Sequence, residues 1–218
     1  MIACHLSASS SQYIDFSFGA NKTQRAILQY LGEWLPLFLK WSNGRSFAGT
    51  QEDDISEELE WFLQEKVKST NLLLNLNRKK GSDFRFRIDG MGVGTQSVFL
   101  MEAKRLPPTS TRDYVHHHGS PGGISRFKLE QVGFGDHLAF SAMLGYVQKN
   151  DFEHWFNQVN LWIADLMAAP DEVEMKWGNE DKLLFVKKDK SIAEYRSIHT
   201  RISKAPIRLT HFWLNMVC

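Results

Sequence analysis

The sequence predicts an α/β protein in which a mixed central sheet is flanked by helices. Two amphipathic segments with helical spacing come first, segments with strand patterns follow, and the chain then repeats this order of helices and strands. A length of 218 residues suits one domain. We therefore expect a single domain over 1–218, with an N-terminal helical segment at about 21–69 packed on the sheet.

The N-terminal segment contains two predicted helices. Residues 21–41 carry apolar side chains at helical spacing, and Pro36 is expected to kink or interrupt that helix. Residues 52–69 form a second amphipathic pattern that begins in the acidic run "QEDDISEEL". Acids are favourable in the first turn of a helix, so this run indicates a helix start.

The next two predicted strands carry charged side chains. "DFRFRI" (83–88) alternates between apolar and charged residues, which is typical of a strand with one buried face. "SVFLMEAKR" (97–105) is apolar on both faces until Glu102 and Lys104, so it is expected in the middle of the sheet. The turn "DGMGVG" (89–94) joins the two strands. Charged groups at the end of a buried strand need partners, a metal ion or water.

The remaining chain continues with a loop, three helices and three strands. Residues 107–123 are rich in turn formers and predict a long loop. Helices are predicted at 124–133, 136–150 and 151–168, and strands at 182–188, 193–202 and 207–217.

Composition and charge restrict the class of protein. A hydrophobic content of 43%, a charged content of 23% and a net charge of +1 are typical of a soluble globular domain, with basic runs confined to patches. No apolar stretch approaches the length of about 20 residues that spans a bilayer, so no membrane partner is expected. Cys4 and Cys218 stand at the two ends of the chain, where neither can crosslink a core. These features predict a cytoplasmic protein.

Three side chains form the candidate catalytic group. Asp83 opens one predicted strand, and Glu102 and Lys104 share a face at the end of the next one. If the two strands pair, the three side chains surround one cavity. Two carboxylates can supply oxygen ligands to Mg²⁺, and a lysine beside them can orient or deprotonate a water and stabilise a phosphorane-like transition state.

The segments "GSDFRFRI" and "FLMEAKRL" resemble the aspartate and Glu-x-Lys motifs of the PD-(D/E)XK nuclease superfamily, which has the restriction-endonuclease-like fold. Ser82 stands where that family usually has a proline. The resemblance implies that the main-chain carbonyl of Ala103 also faces the metal, and that an acid from a preceding helix joins the site. The helix start "QEDDISEEL" favours Glu52 for that acid, with Glu58 as the second choice.

Several further residues are assigned to substrate binding. The segment that contains Gly122, Gly123 and Arg126 resembles a Gly-Gly-Ile-x-Arg-Phe element that follows the Glu-x-Lys strand in such nucleases, and glycines before a helix allow a phosphate to approach its amides. The complete set of predicted substrate contacts is Arg105, Gly122, Gly123, Arg126, His199 and Arg201. For His199 and Arg201 a polar sheet face is an equally good interpretation. A serine hydrolase is discounted because the chain lacks a Gly-x-Ser-x-Gly sequence.

The resemblance implies a Mg²⁺-dependent endonuclease, with Mn²⁺ as the alternative ion, that hydrolyses phosphodiester bonds, most naturally in DNA. A compact nuclease without a sequence-reading module needs help in choosing its target, so we expect a homodimer or a regulatory partner, and a restriction or anti-phage defence role by analogy. The alternative is a non-catalytic nucleic-acid-binding or assembly module. It would fill the acidic pocket with ion pairs such as Lys104 with Glu102 and Arg105 with Asp83.

Overall fold

The computed structural model describes residues 15, 19–42, 45–77, 82–90, 96–108, 112–116, 122–135, 137–169 and 175–217. Both cysteines, the basic run 78–80 and most of the predicted turn at 89–94 lie outside the described residues. Every structural statement below concerns the described part of the chain.

The described residues form helices and strands in the order αα βββ α β α βββ. The helices are Ala20–Trp41 (α1), Glu52–Val67 (α2), Gly123–Lys128 (α3) and Phe152–Ala168 (α4). The strands are Leu72–Leu76 (β1), Phe84–Ile88 (β2), Phe99–Leu106 (β3), Phe140–Val147 (β4), Leu184–Lys188 (β5), Ile192–His199 (β6) and Ile207–Asn215 (β7). A single 3₁₀ turn, Asn179–Asp181, precedes β5.

The seven strands form one mixed sheet with the order β1-β2-β3-β4-β7-β6-β5. The central strands β3, β4 and β7 are parallel neighbours. On one side of these central strands, β1 pairs with β2 and β2 with β3, and on the other side β7 pairs with β6 and β6 with β5. All four of these pairs are antiparallel. The prediction of an α/β fold with a mixed central sheet is therefore confirmed, and β3 lies in the interior of the sheet as its two apolar faces indicated.

Helices cover both faces of the sheet and create two apolar cores. Helices α1 and α2 pack on the face that carries Phe84, Phe99 and Phe212. Helices α3 and α4 pack on the opposite face, where Met143 and Trp213 are buried. The predicted amphipathic helices at 52–69 and 151–168 are confirmed within one or two residues of their ends. No helix in the described ranges has both the length and the apolarity that a bilayer crossing requires.

The prediction of a helix at 136–150 is wrong, because the segment "FSAMLGYV" is the strand β4. All eight of its residues are buried between β3 and β7, whereas a helix on the sheet surface would leave one side exposed. Ala142, Met143 and Leu144 are good helix formers, and their position in the centre of the sheet overrides that preference.

Three smaller differences also have local reasons. The predicted helix at 124–133 ends early, at Lys128. Helix α1 continues through Pro36 without a break, held by its buried face. Strand β1 was not predicted, because "LLLNL" offers only a short apolar run beside the α2 helix pattern.

We predict that Gly145→Ala destabilises the fold by about 1–3 kcal/mol, as is usual for overpacking in a core. A Cβ at Gly145 would lie 2.4 Å from Trp213 Cδ1, and that indole is fully buried in the core under α4. Urea unfolding of the variant measures the loss. The matched control is Gly32→Ala in α1, where the nearest atom to an added Cβ is Phe212 Cε1 at 3.8 Å. Equal stability of the two variants would contradict the prediction.

Candidate active site

Strands β2 and β3 bring Asp83 beside Glu102. Their antiparallel register pairs Phe84 with Met101, and one further step in the same register sets Asp83 across from Glu102. Asp83 comes directly before the first residue of β2. Its carboxylate takes the place of a main-chain carbonyl in the pairing with β3, because its Oδ2 accepts the Ala103 N–H at 2.7 Å. The aspartate is thus fixed to the backbone of the strand that carries Glu102 and Lys104.

Glu102 is a fully buried carboxylate with two cationic neighbours. Its Oε1 lies 2.5 Å from the Arg126 guanidinium and 3.3 Å from Lys104 Nζ. Its Oε2 is buried and has no hydrogen-bond partner among the described residues. A buried carboxylate oxygen without a donor is costly, so this atom requires an explanation such as an ion.

Helix α2 contributes a third carboxylate through its first residue, Glu52. One oxygen of Glu52 accepts Lys104 Nζ at 2.8 Å, and the other accepts the main-chain N–H of Arg105, also at 2.8 Å. Glu58, the second choice from sequence, instead forms a surface ion pair with Arg45 at 3.3 Å. The structure therefore brings together Glu52, Asp83, Glu102 and Lys104, and it leaves Glu58 outside the group.

The carboxylates repel one another in a poorly hydrated space. Burial, followed by the charge of Glu102, raises the pKa of Asp83 well above its ordinary value. Burial also raises the pKa of Glu102, although Lys104 and Arg126 oppose that shift. Burial alone would lower the pKa of Lys104, but the three carboxylates outweigh it and raise that pKa, so Lys104 is a fixed cation at neutral pH.

The donor set fits one hard divalent cation. Three carboxylates and two cationic side chains leave the ionised group with one negative charge in excess. Mg²⁺ in proteins commonly binds one or two carboxylates and keeps water in its other positions. Asp83 and the Oε2 of Glu102, which has no partner within the described ranges, match that requirement. No cluster of three or more His, Cys, Asp or Glu side chains within the described ranges is arranged as a metal cage.

The position of Ala103 adds a main-chain oxygen to this set. In a strand the N–H and C=O groups of one residue point towards the same neighbouring strand. The Ala103 N–H points to Asp83, so its carbonyl also points to the side on which β2 has ended. The metal-ligand role that the family resemblance implies for this carbonyl stays a prediction.

Of the predicted substrate contacts, Arg126 lies in the cluster, and Arg105 touches it through its main-chain N–H. Arg126 comes from α3, its guanidinium also stacks on the Phe134 ring at 5.4 Å, and its side chain is 30% exposed. Its charged end therefore reaches both buried Glu102 and the surface, where a phosphate can approach.

Gly122 and Gly123 are buried, and the α3 amides already have acceptors. The N–H groups of Gly123, Ile124 and Ser125 donate to the carbonyls of residues 113, 114 and 115. A Cβ at Gly123 would lie 2.4 Å from the Tyr114 carbonyl oxygen. The glycine is therefore required for close packing of α3 on this loop, and the amides predicted to bind phosphate are used inside the protein.

His199 and Arg201 also lie inside the protein rather than at a rim. The Arg201 guanidinium donates to the main-chain carbonyls of Ala205, Gly135 and Leu138. His199 is fully buried and belongs to a hydrogen-bonded network under α3. Neither side chain joins the Glu102 cluster, so the interpretation as a polar sheet face agrees better with their positions.

The network around His199 has one proton arrangement that satisfies every member. Trp213 Nε1–H donates to Tyr114 Oη, and the Tyr114 hydroxyl donates to His211 Nδ1. His211 Nε2–H then donates to Ser197 Oγ. The Ser197 hydroxyl donates to His199 Nε2, and His199 Nδ1–H donates to Asp181. The indole can only donate and the carboxylate can only accept, so His211 Nδ1 is the acceptor left for the Tyr114 hydroxyl; both histidines are neutral in this arrangement.

Burial lowers the pKa of His199 and lowers that of His211 well below its usual value, in agreement with neutral rings. Ser197, His199 and Asp181 follow the order of a nucleophilic triad, but all three are buried away from any substrate. Lys128 Nζ donates to the same Asp181 oxygen at 2.7 Å. The network therefore fastens α3 to the 3₁₀ turn and to β6.

Sequence reasoning missed Asp181, Lys128 and Tyr114 as members of polar networks. Lys128 and Asp181 are 53 residues apart, and no spacing rule connects such a pair. A lysine on the inner face of α3, two residues after Arg126, was the single available signal. Comparison with known proteins adds no further assignment: no protein-family model, no curated protein and no solved structure matches this chain.

We predict that Asp83→Asn stabilises the metal-free protein at neutral pH, by an amount on the order of 1–2 kcal/mol. The pKa of Asp83 is higher in the folded than in the unfolded chain. The carboxyl therefore contributes stability below its unfolded pKa of about 3.9, and this contribution is lost as pH rises through the folded pKa. Asparagine does not ionise and still accepts the Ala103 N–H.

Urea unfolding in EDTA between pH 4 and pH 7.5 measures this effect. The difference between Asp83→Asn and the parent should be small near pH 4 and should grow towards pH 7.5. Asp189→Asn, at an exposed turn, is the matched control. A variant less stable than the parent at pH 7.5 would show that the Asp83 charge is compensated in the fold.

Proposed function

We propose that this chain is a metal-dependent nuclease that hydrolyses phosphodiester bonds, with DNA as its substrate. The observation that carries the proposal is the adjacent pair Asp83 and Glu102, in which the buried Glu102 Oε2 has no donor among the residues that the structure describes. Crowded carboxylates with raised pKa values are expected where a divalent cation completes the site.

Asp83, Glu102 and the Ala103 carbonyl would hold the cation, with Mg²⁺ as the expected ion and Mn²⁺ as a substitute. A bound Mg²⁺ neutralises charge on a phosphodiester and lowers the pKa of a bound water. Lys104 is positioned by Glu52 and is charged, so its role is to donate to a phosphate oxygen or to orient the attacking water. Glu52 is then a positioning residue, because it acts through Lys104.

The order of the strands supports the finer proposal of a restriction-endonuclease-like fold. An antiparallel β1–β2–β3 unit followed by β4 parallel to β3 carries Asp83 just before β2 and the Glu-x-Lys pair within β3. We also propose that target choice depends on a second copy of the chain or on a regulatory partner, and that the biological setting is restriction or anti-phage defence. These proposals rest on the family resemblance described above.

We predict that purified protein cleaves plasmid DNA with Mg²⁺ and that Lys104→Ala lowers the rate by about a hundredfold or more, as loss of a charged transition-state donor does. Asp83→Ala removes a proposed metal ligand and should abolish cleavage at every Mg²⁺ concentration tested. Lys149→Ala, at an exposed lysine after β4, is the matched control and should cleave at the parent rate. Cleavage that survives Asp83→Ala would contradict the assigned site.

We predict a separate role for Arg126, because its guanidinium occupies an oxygen of a proposed metal ligand. Arg126→Gln should bind Mn²⁺ several-fold more tightly, since a competing cation is removed, and should turn over more slowly if the guanidinium moves to the phosphate. Calorimetric titration of Mn²⁺ and cleavage rates measure the two effects. Arg196→Gln, an exposed arginine on β6, is the control. Weaker Mn²⁺ binding in Arg126→Gln would contradict this role.

A non-catalytic nucleic-acid-binding module is the second candidate, and the contacts of Glu102 favour it. Lys104 and Arg126 both touch Glu102 Oε1, so part of the acidic pocket is filled by ion pairs of the chain itself. This candidate expects DNA binding that is equal in Mg²⁺ and in EDTA. It also expects no cleavage by either the parent or Lys104→Ala, which separates it from the nuclease.

A further inference from the structure

A second site lies on the opposite face of the sheet from the Glu102 cluster. Helix α1 covers the centre of its face and leaves a cleft of about 780 Å³ above strands β5, β6 and β7. Ligand sites for small molecules commonly measure about 300–1,000 Å³. The cleft is therefore large enough for a whole small-molecule ligand. Its lining does not include Asp83, Glu102 or Lys104.

Two arginines lie close together at one end of the cleft, where they can bind an anion. The guanidinium groups of Arg25 on α1 and Arg208 on β7 both stack on the Phe140 ring, at 4.9 and 5.5 Å from its centre. Neither group forms an ion pair within the part of the chain that the structure describes. Two guanidinium groups on one ring match a ligand with several charged oxygens, such as a phosphate.

The other lining side chains combine charge with apolar surface. Lys187 and Arg196 are already paired with Glu194, at 3.4 and 3.0 Å, and Glu33 lies on the α1 side. The four cationic and two acidic lining residues give the cleft an excess of two positive charges. The apolar side chains that line it are Leu28, Phe140, Leu184, Ile198 and Phe212.

Gly32 is an independent sign that the cleft is kept open. It lies inside α1 on the wall of the cleft, where an added Cβ would meet Phe212 Cε1 at an ordinary 3.8 Å. Glycine is among the least favourable residues in a helix interior, and packing on the sheet does not require one here. A larger residue at this position would project into the cleft and reduce its volume.

We propose that this cleft binds a phosphorylated organic ligand of mononucleotide size, with its phosphates on Arg25 and Arg208 and its less polar body between α1 and the β5–β7 surface. The phosphate could come from a free nucleotide or from the end of a nucleic acid strand, since both offer the same chemistry. The site is separate from the proposed nuclease centre and does not depend on it.

The test is calorimetric titration of the full chain in EDTA, which prevents cleavage of any probe. ATP should bind, whereas adenosine and inorganic phosphate should each bind much more weakly, because each fills one half of the site. A 12-nucleotide oligothymidylate without a terminal phosphate and its 5′-phosphorylated form are the second arm. Tighter binding of the phosphorylated form than of ATP would assign the site to strand ends.

Variants of the cleft decide the outcome. Arg25→Gln and Arg208→Gln should each weaken ATP binding by about tenfold, the usual effect of losing one charge-assisted contact. Gly32→Leu should abolish binding and should not lower the melting temperature. Arg45→Gln, an exposed arginine paired with Glu58 elsewhere, is the matched control and should bind as the parent does.

The proposal is overturned if ATP does not bind at millimolar concentration, or if it binds equally to the parent and to all three cleft variants. It is also overturned if Asp83→Asn and Arg126→Gln change ATP affinity while the cleft variants do not, since that would assign binding to the Glu102 cluster. Loss of a dimer in Gly32→Leu with unchanged ATP affinity would show that a second copy occupies the cleft.

Discussion

The burial of Glu102 in the middle of a sheet is the constraint on which the site depends. An ionised carboxylate in such a position must be compensated by nearby cations or must take up a proton. Lys104, two residues further along the same strand, forms one ion pair with Glu102, and Arg126 on helix α3 forms another. Asp83 adds a second, partly buried carboxyl through its bond to the Ala103 N–H, and this addition creates the charge imbalance that a divalent ion would relieve.

These compensating groups come from elements that are distant in sequence, so the site also constrains the packing of the helices. Glu52 can hold Lys104 and the Arg105 amide because α2 begins at the end of β3 where these groups emerge. The start of α2 and the end of β3 are therefore joined by charge as well as by the apolar core beneath them.

The sequence patterns predicted the strands that carry the site better than the elements around it. The alternating pattern of "FRFRI" reports one buried face, and the apolar pattern of "SVFLMEAKR" reports two. The burial of both strands in the sheet agrees with these patterns. Strand β4 was assigned to a helix because Ala142, Met143 and Leu144 favour helices, and only its neighbours in the sheet determine its conformation. The partners Lys128 and Asp181 meet through tertiary packing, which no local pattern encodes.

Helix α3 connects the site to the buried polar network, because it is anchored at both of its charged residues. Arg126 contacts Glu102 on one side, and Lys128 contacts Asp181 on the other. A helix of six residues has little stability of its own, so these contacts and the packing of Gly123 on the Tyr114 carbonyl determine its position. Lys128 Nζ and His199 Nδ1–H both donate to Asp181, so the buried network holds the end of α3 that follows Arg126. The position of the Arg126 guanidinium against Glu102 thus depends on hydrogen bonds made on the far side of α3.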